Sequence, residues 1–236
     1  MKAVILAAGR GSRMKDLTDE QPKCFTVVRG KRLIDWQLEA LRQAGVTEIA
    51  IVTGYRSQAF EEFGCRTFHN DRWESTQMVQ SLRCANEWLT SENCIVSYSD
   101  IFYSARGVSA LRNCTDEIAI TYDANWLDVW SKRFANPLDD AETFRFDESM
   151  KLTEIGGRPT NTHEVMGQYM GLLHFTPEGW RLAMDVFSHL SIEEQDKVHM
   201  TGLLGRIIAQ YPGSVGVVAY TDEWGEVDSK EDLEAY

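Results

Sequence analysis

No apolar run in this sequence is long enough to cross a bilayer, which excludes a protein that spans membranes with helices. The first residues also lack the apolar core and the small-residue cleavage site of a secretory signal. The five cysteines are scattered, form no C-x-x-C pair and are odd in number. This pattern argues against a disulfide framework or a zinc site. We therefore expect a cytoplasmic protein with reduced thiols and no membrane partner.

Several common catalytic and binding signatures are missing as well. The Walker pattern is absent, because no lysine followed by serine or threonine comes after a glycine. Gly9 and Gly11 lack the third glycine of a dinucleotide-binding turn. The five histidines form no metal cluster, and no Ser-His-Asp pattern stands out. A net charge of −12 argues against nucleic acid as a partner.

The start of the chain does contain a strand pattern that leads into a glycine-rich turn. Residues 3–8 are small or aliphatic, as in a strand covered on both faces of a parallel sheet. The turn at 9–13 contains two glycines, and its backbone N–H groups can form a hollow that binds anions. Arg13 adds a forked donor and Lys23 a mobile cation, both suited to phosphate oxygens. The pattern predicts a triphosphate site; solvated arginines on an ordinary turn are the alternative.

The basic residues are concentrated on this stretch. Residues 1–32 hold eight lysines and arginines against three acidic residues, whereas the remainder holds 16 against 33. An acidic exterior with one positive mouth would steer a small anion toward the turn. Solubility alone would also explain part of the acidic surface.

Strand and helix patterns alternate along the chain, which predicts an α/β fold in a single domain, residues 1–236. Predicted strands after the first are 48–52, 66–69, 93–98, 118–122, 167–175 and 215–220. Predicted helices are 32–45, 57–63, the second half of 70–89, 177–190 and 201–211. Two alternating runs in 143–155 predict a hairpin. Residues 123–134 have no clean period and are predicted to be an insertion over the pocket.

The segment Leu6–Met14, followed by Pro22-Lys23, resembles the signature of the sugar-1-phosphate nucleotidylyltransferase superfamily, L-A-A-G-x-G-x-R-(M/L) and then P-K. Residues 224–233 resemble its pattern W-x-E-(I/V)-D-(T/S)-x-E-D-(L/A). Residues 125–144 and 167–180 resemble the phosphocholine cytidylyltransferase-like branch, some members of which act on phosphoglutamine for capsule modification. The resemblance implies a Rossmann-like, mixed and mainly parallel sheet flanked by helices, of the nucleotide-diphospho-sugar transferase type, with a small β insertion over the pocket.

The resemblance also implies roles for individual residues. Arg13 and Lys23 are the predicted catalytic residues, and Asp100 and Asp228 the predicted ligands of Mg²⁺. Helix capping is the alternative for both aspartates, and capping by Ser75 or Thr76 is the alternative for the segment around Gln77. The predicted nucleotide-binding residues are Leu6, Ala7, Ala8, Gly9, Gly11, Ser12, Arg13, Gln77 and Ser81.

Aromatic and acidic residues near the predicted pocket indicate the acceptor. Trp126, Trp130 and Tyr169 are the predicted acceptor-binding residues, because aromatic rings with nearby carboxylates suit a cationic amine. Packing in the core is the alternative for these rings. Together with the resemblance, this favours CTP as the nucleoside triphosphate and a small phosphorylated amine or amino acid, such as phosphocholine or phosphoglutamine, as the acceptor.

The predicted reaction is attack by an ionised acceptor phosphate on the α-phosphorus of CTP, with release of pyrophosphate. It requires positioning and charge neutralisation and no general base. The expected role is cell-surface polysaccharide modification. A sugar-1-phosphate nucleotidylyltransferase using UTP, dTTP or GTP is the first alternative. A non-catalytic nucleotide-binding regulatory protein is the second, and a homodimer stays open.

Overall fold

The computed structural model gives the backbone of residues 1–236 and describes every side chain except those of Lys15, Asp16 and Ala235. Its strands are β1 Lys2–Ala7, β2 Val27–Val28, β3 Lys31–Arg32, β4 Ile49–Thr53, β5 Arg66–His69, β6 Cys94–Tyr98, β7 Ile101–Phe102, β8 Ile118–Asp123, β9 Phe144–Phe146, β10 Leu152–Ile155, β11 Gln168–Phe175, β12 Val215–Tyr220 and β13 Gly225–Glu226. Its α-helices are α1 Leu33–Gln43, α2 Met78–Arg83, α3 Asn86–Leu89, α4 Ala105–Arg112, α5 Trp126–Arg133, α6 Pro177–Ser188, α7 Ile192–Lys197 and α8 Met200–Gln210. Short 3₁₀ helices cover Ser12–Thr18, Lys23–Phe25, Ser57–Phe63, Pro137–Asp139, Thr162–Glu164 and Glu231–Ala235.

Seven strands form the central sheet, in the order β12-β8-β11-β6-β1-β4-β5. Neighbouring strands are parallel except where β11 pairs with β8 and with β6. The predicted mixed and mainly parallel sheet is therefore confirmed. Since β1 and β6 lie side by side and parallel, the residues that follow them meet at one edge of the sheet.

Helices cover both faces of the sheet. One face packs against α1, α4 and α5, and the other against α2, α3, α6 and α8. This explains why β1 reads as a continuous apolar run, since alternate residues such as Val4 and Ile5 are buried against opposite layers. No helix in the described part of the chain is long and apolar enough to span a bilayer.

Three local predictions need correction. Residues 123–134 are not an irregular insertion: β8 ends within them and α5 follows. The single helix predicted in the second half of 70–89 is two short helices, α2 and α3, whereas the helix predicted over 57–63 is present as a 3₁₀ helix. The sequence pattern also gives no sign of α7; its residues are mostly polar, and it begins with a capping box in which Ser191 and Glu194 bond reciprocally.

The predicted hairpin is present as the antiparallel pair β9 and β10. Phe144 and Leu152 anchor it in the core. Glu142, just before the hairpin, and Gly156, just after it, line a large cavity. The residues that flank the hairpin therefore form part of the wall of this cavity.

Candidate active site

The carboxyl ends of β1 and β6 open onto a cavity of about 280 Å³, called here the loop cavity. All the predicted nucleotide-binding residues except one line it. Ala7 is the exception; it belongs to the core layer on the opposite face of the sheet, because successive residues of a strand alternate. The predicted nucleotide-binding residues that line the loop cavity are Leu6, Ala8, Gly9, Gly11, Ser12, Arg13, Gln77 and Ser81.

The glycine turn allows Lys23 to lie against the backbone. Gly11 has a φ of +69°, and a β-carbon on it would come within 2.8 Å of the Lys23 side chain. Only glycine adopts this conformation at little cost and leaves that space free. Arg13 behind the turn stays 71% exposed and forms an ion pair with Asp228 at 3.0 Å.

Lys23 lies between the two predicted metal ligands. Its Nζ is 2.8 Å from Oδ2 of Asp100 and 2.6 Å from Oδ1 of Asp228, and the residue is 8% exposed. Burial by itself lowers the pKa of Lys23, but the two carboxylates outweigh it and hold the pKa above its ordinary value. The ammonium is therefore held charged.

A third carboxylate joins this pair. Asp100, Glu226 and Asp228 each offer one oxygen, and these oxygens lie within 4.8 Å of one another. The two-residue strands β7 and β13 pair antiparallel, and the Val227 N–H donates to the Asp100 carbonyl at 2.9 Å, which holds the segments together. Burial, with Asp228 and Asp100 nearby, raises the pKa of Glu226.

This group fits a hard divalent cation such as Mg²⁺. Carboxylate oxygens are the ligands that Mg²⁺ prefers. One of them, Oδ1 of Asp100, is buried and has no hydrogen-bond partner among the described residues. A buried oxygen without a partner is a ligand position that a cation would satisfy.

Arg133 supports the carboxylates from behind. Its Nε donates to Asp232 at 2.9 Å, and its Nη1 lies 3.6 Å from Glu226. Asp232 in turn accepts the backbone N–H groups of Asp228 and Ser229, both at 2.9 Å. Burial alone would raise the pKa of Asp232, but Arg133 and the two amides outweigh it and lower the pKa. The alternative that Asp228 caps a helix does not hold. In this segment the carboxylate that accepts the free backbone N–H groups is that of Asp232.

A second cavity of about 650 Å³, called here the acceptor cavity, adjoins the first. Met78 and Tyr98 line both cavities, and Asp228 lines the larger one. Asp140 and Glu142 line its wall, and burial raises the pKa of each carboxyl group. Lys23 and the carboxylates thus lie where the two cavities meet.

The predicted acceptor-binding aromatic residues divide into two groups. Trp130 and Tyr169 line the acceptor cavity. Trp126 does not; it is packed in the core, and its indole nitrogen donates to the Val165 carbonyl at 3.1 Å. For Trp126 the core alternative holds, because its ring packs against Trp130 inside the core layer and does not reach the cavity.

The segment before α2 forms the remaining wall of the loop cavity. Gln77 occupies the N-cap position of α2 without a side-chain cap, and neither Ser75 nor Thr76 caps the helix, since both hydroxyls donate to the Arg72 carbonyl. The Ser81 hydroxyl accepts from Asn70 at 3.0 Å. Gln77 and Trp73 both line this wall of the loop cavity.

Three contributors were missed at the level of sequence: Glu226, Arg133 and Tyr98. Glu226 stands two residues before Asp228 in the matched C-terminal pattern, and this spacing was an available signal. Arg133 and Tyr98 gave none, because their roles depend on contacts with residues distant in the chain.

Comparison with known proteins identifies the class to which this protein belongs. The chain belongs to the family of MobA-like NTP transferase domains, which it matches over residues 3–151. The prediction of a nucleotidyltransferase is confirmed.

Two relatives match nearly the whole chain. A CTP:phosphoglutamine cytidylyltransferase of Campylobacter jejuni is 34% identical over 99% of this chain and 98% of the relative. A 2-aminoethylphosphonate cytidylyltransferase of Lancefieldella rimae is 26% identical over 99% of this chain and 91% of the relative.

Solved structures share the fold. The CTP:phosphocholine cytidylyltransferase of Streptococcus pneumoniae superposes with a TM-score of 0.73 at 21% identity, covering 99% of this chain and 96% of that one. The inositol-1-phosphate CTP transferase of T. maritima gives 0.77 at 18% identity, covering 99% and 94%. The Rossmann-like nucleotidyltransferase fold is thereby confirmed.

Proposed function

We propose that the chain transfers CMP from CTP to a small phosphorylated amine or amino acid in the cytoplasm and releases pyrophosphate. The observation that carries this proposal is the meeting of two cavities at one group of charges, Lys23 with Asp100 and Asp228. Two reacting phosphates have to be brought together beside cations, and this junction offers that arrangement. The names of the relatives, which specify CTP and phosphorylated or phosphonate acceptors, support the choice of substrates.

The loop cavity would hold the nucleotide. The amides of the glycine turn would bind the β- and γ-phosphates. The exposed Arg13 can leave Asp228 and join them, because an exposed ion pair costs little to break. Lys23 would neutralise charge on the α-phosphate or on the acceptor. An ionised acceptor oxygen is already a nucleophile, so the step needs no general base.

Asp100, Glu226 and Asp228 would hold Mg²⁺ at the junction. When bound, the ion supplies charge neutralisation at phosphate oxygens. Arg133 would keep these carboxylates in place through Glu226 and Asp232.

The acceptor cavity would take the phosphorylated amine. Its carboxylates, Asp140 and Glu142, and its rings, Trp130 and Tyr169, suit a cationic group. The product would be a CDP-linked compound, an activated form in which the group can be delivered to a cell-surface polysaccharide.

The test is pyrophosphate release with Mg²⁺, screening CTP, UTP, dTTP, GTP and ATP against phosphocholine, phosphoethanolamine, 2-aminoethylphosphonate, phosphoglutamine and hexose 1-phosphates. We expect release with CTP and an amine or amino-acid acceptor. Release with a sugar phosphate and another nucleotide would replace the proposal by a sugar-1-phosphate nucleotidylyltransferase. Nucleotide binding without release from any pair would favour a binding protein.

A further inference from the structure

The acceptor cavity has a helix end in its wall. α8 begins there, and Thr201 and Gly202 in its first turn line the cavity. None of the described side chains caps this helix, and its first turn contains no acidic residue. The first backbone N–H groups of a helix have no partner within the helix, and together with the helix dipole they bind anions such as a carboxylate.

Two carboxylates adjoin this helix end. Burial and the nearby Asp140 raise the pKa of Glu142, and the Thr201 hydroxyl, which lies toward this carboxyl group, opposes them in part. Neither carboxylate forms an ion pair with any side chain that the structure describes. The carboxylates, which suit a cation, and the start of α8, which suits an anion, are therefore neighbours in the cavity wall, with Thr201 between them.

Buried donors in the same wall also lack partners. Trp130 is 3% exposed, and its indole N–H makes no hydrogen bond with any described residue, although it lies toward Asp140. The hydroxyl of Tyr169 is likewise buried and makes no hydrogen bond within the described part of the chain, although it lies toward the Tyr98 hydroxyl. Donors left unsatisfied in a cavity wall indicate that a ligand with acceptor oxygens completes them.

We propose that the acceptor cavity recognises the head group of an α-amino acid. Its carboxylate binds the amides at the start of α8, and its ammonium lies between Asp140 and Glu142. The two charges of an α-amino acid share one carbon, which matches two adjacent positions of opposite sign. This inference rests on the proposed function and narrows the acceptor to phosphorylated α-amino acids, in preference to amines without a carboxylate.

The helix end is not required for the reacting phosphate. Lys23 and Arg13 already supply cations at the junction of the cavities, beside Asp228. If these cations bind the phosphate, the anionic group that binds at the start of α8 has to be a carboxylate elsewhere on the acceptor. The competing assignment, phosphate at α8, makes a different prediction in the experiment below.

Matched acceptors isolate the carboxylate. O-phospho-L-serine and phosphoethanolamine differ only in that group, and so do O-phospho-L-homoserine and 3-aminopropyl phosphate. Binding is measured by calorimetry with Mg²⁺ and a non-hydrolysable CTP analogue present, and kcat/KM by pyrophosphate release with CTP. We expect the carboxylate-bearing member of at least one pair to bind about tenfold or more tightly.

Gly202→Asp, with Gly202→Asn as its neutral control of equal size, tests the helix end. A β-carbon at Gly202 would meet only a Val198 methyl group at 3.6 Å, so the backbone site itself has room for the β-carbon of either variant. An aspartate in the first turn stabilises a helix, so that a folding defect does not confuse the result. We expect Gly202→Asp to lose about tenfold or more in affinity for the carboxylate acceptors relative to Gly202→Asn, while its loss with the amines is much smaller.

Each outcome decides the inference. Equal losses with both members of a pair would place the phosphate at α8 and overturn it. Equal wild-type binding of both members, or failure of all four acceptors to bind while CTP binds, would overturn it too. In those cases CMP transfer to phosphocholine or 2-aminoethylphosphonate would leave the proposed function standing, whereas failure to bind CTP would remove the proposed function itself.

Discussion

At the scale of the residue, Lys23 occupies the position between Asp100 and Asp228 that a divalent cation would need. The ammonium and the cation would therefore compete for the same oxygens. Binding of the metal would release Lys23 toward the phosphates, which couples the two events. This coupling can be measured without any turnover.

We expect Lys23→Ala to bind Mn²⁺ more tightly than the wild type, although it should lose roughly 10²–10³-fold in turnover. In the absence of metal, Asp100 and Asp228 lose the cation that Lys23 supplies, and we expect the free energy of unfolding to fall by roughly 1–3 kcal/mol. Added Mn²⁺ should therefore raise its melting temperature more than that of the wild type. Calorimetry and thermal unfolding with and without Mn²⁺ check this.

Lys31→Ala is the matched control, because Lys31 forms an ion pair with Glu39 at the surface, far from Asp100 in the chain. We expect less than about 1 kcal/mol of change in stability and no change in Mn²⁺ affinity. Weaker Mn²⁺ binding by Lys23→Ala would contradict the competition.

Arg133 gives a second residue-scale prediction. Arg133→Met should destabilise the protein by about 3–5 kcal/mol, because Asp232 would keep a largely buried charge without its cation. The double variant Arg133→Met/Asp232→Asn should recover part of this loss, since the uncompensated charge is gone. Urea unfolding measures both, and a double variant no more stable than the single one would count against the ion pair.

The residues of the site that sequence could predict were those in contiguous patterns. The glycine turn, Lys23, Asp100 and Asp228 lie in short motifs, and the structure brings them to one junction. Arg133 could not be found in this way, because its partners Glu226 and Asp232 lie about a hundred residues further along the chain. Their charge pairing exists only after α5 has docked.

At the scale of the element, β11 carries an irregularity that shapes the site. Its register with β8 shifts between Tyr169 and Leu173, and Gly171 within this bulge has a φ of +78°. A β-carbon on Gly171 would lie 2.7 Å from the ring of Tyr98, which lines both cavities. Gly171 in the bulge therefore leaves room for the Tyr98 ring, which is common to the walls of the two cavities.

We expect Gly171→Ala to lower the free energy of unfolding by more than the roughly 1–2 kcal/mol that a left-handed alanine costs, because the methyl group also pushes on Tyr98. It should raise KM for both substrates. Gly64→Ala is the control, since Gly64 has a φ of +59° but a β-carbon there would meet no other atom within 4 Å. Equal destabilisation in urea would show that the contact with Tyr98 has no effect.

Strands and helices with a clear apolar periodicity were the ones that the sequence predicted well. The buried strands and α1, α6 and α8 have apolar stripes, and each was predicted within a few residues. α5 was missed as a helix because residues 123–134 show no clean period, and α4 was not predicted at all. α7 was missed because it has little apolar face and depends on its capping box.

At the scale of the whole molecule, one buried histidine links stability to pH. His174 lies in β11 at 1% exposure, and neither ring nitrogen has a partner among the described residues. Burial lowers the pKa of His174, and the nearby Glu117 and Asp116 oppose this only in part. The folded state therefore holds this ring neutral.

Because the unfolded chain binds a proton that folded His174 resists, stability should fall as the pH drops below the unfolded pKa of about 6.5. The loss should approach about 1.4 kcal/mol per pH unit until the lowered folded pKa is reached. His174→Leu should remove this part of the slope, whereas His163→Leu, at an exposed position, should keep it. Urea unfolding across the range from neutral pH to below the unfolded pKa measures the slopes, and parallel curves for wild type and His174→Leu would refute the assignment.

The pairing of β7 with β13 has a consequence for synthesis. β12 ends at Tyr220, so the seven-stranded sheet is fully encoded before Glu226 and Asp228 have been translated. A nascent chain halted between these points could fold its sheet but would carry one carboxylate of the three. Any chemistry that needs all three carboxylates therefore waits for the segment that follows the sheet, and a prematurely terminated product would lack two of them however well folded it is.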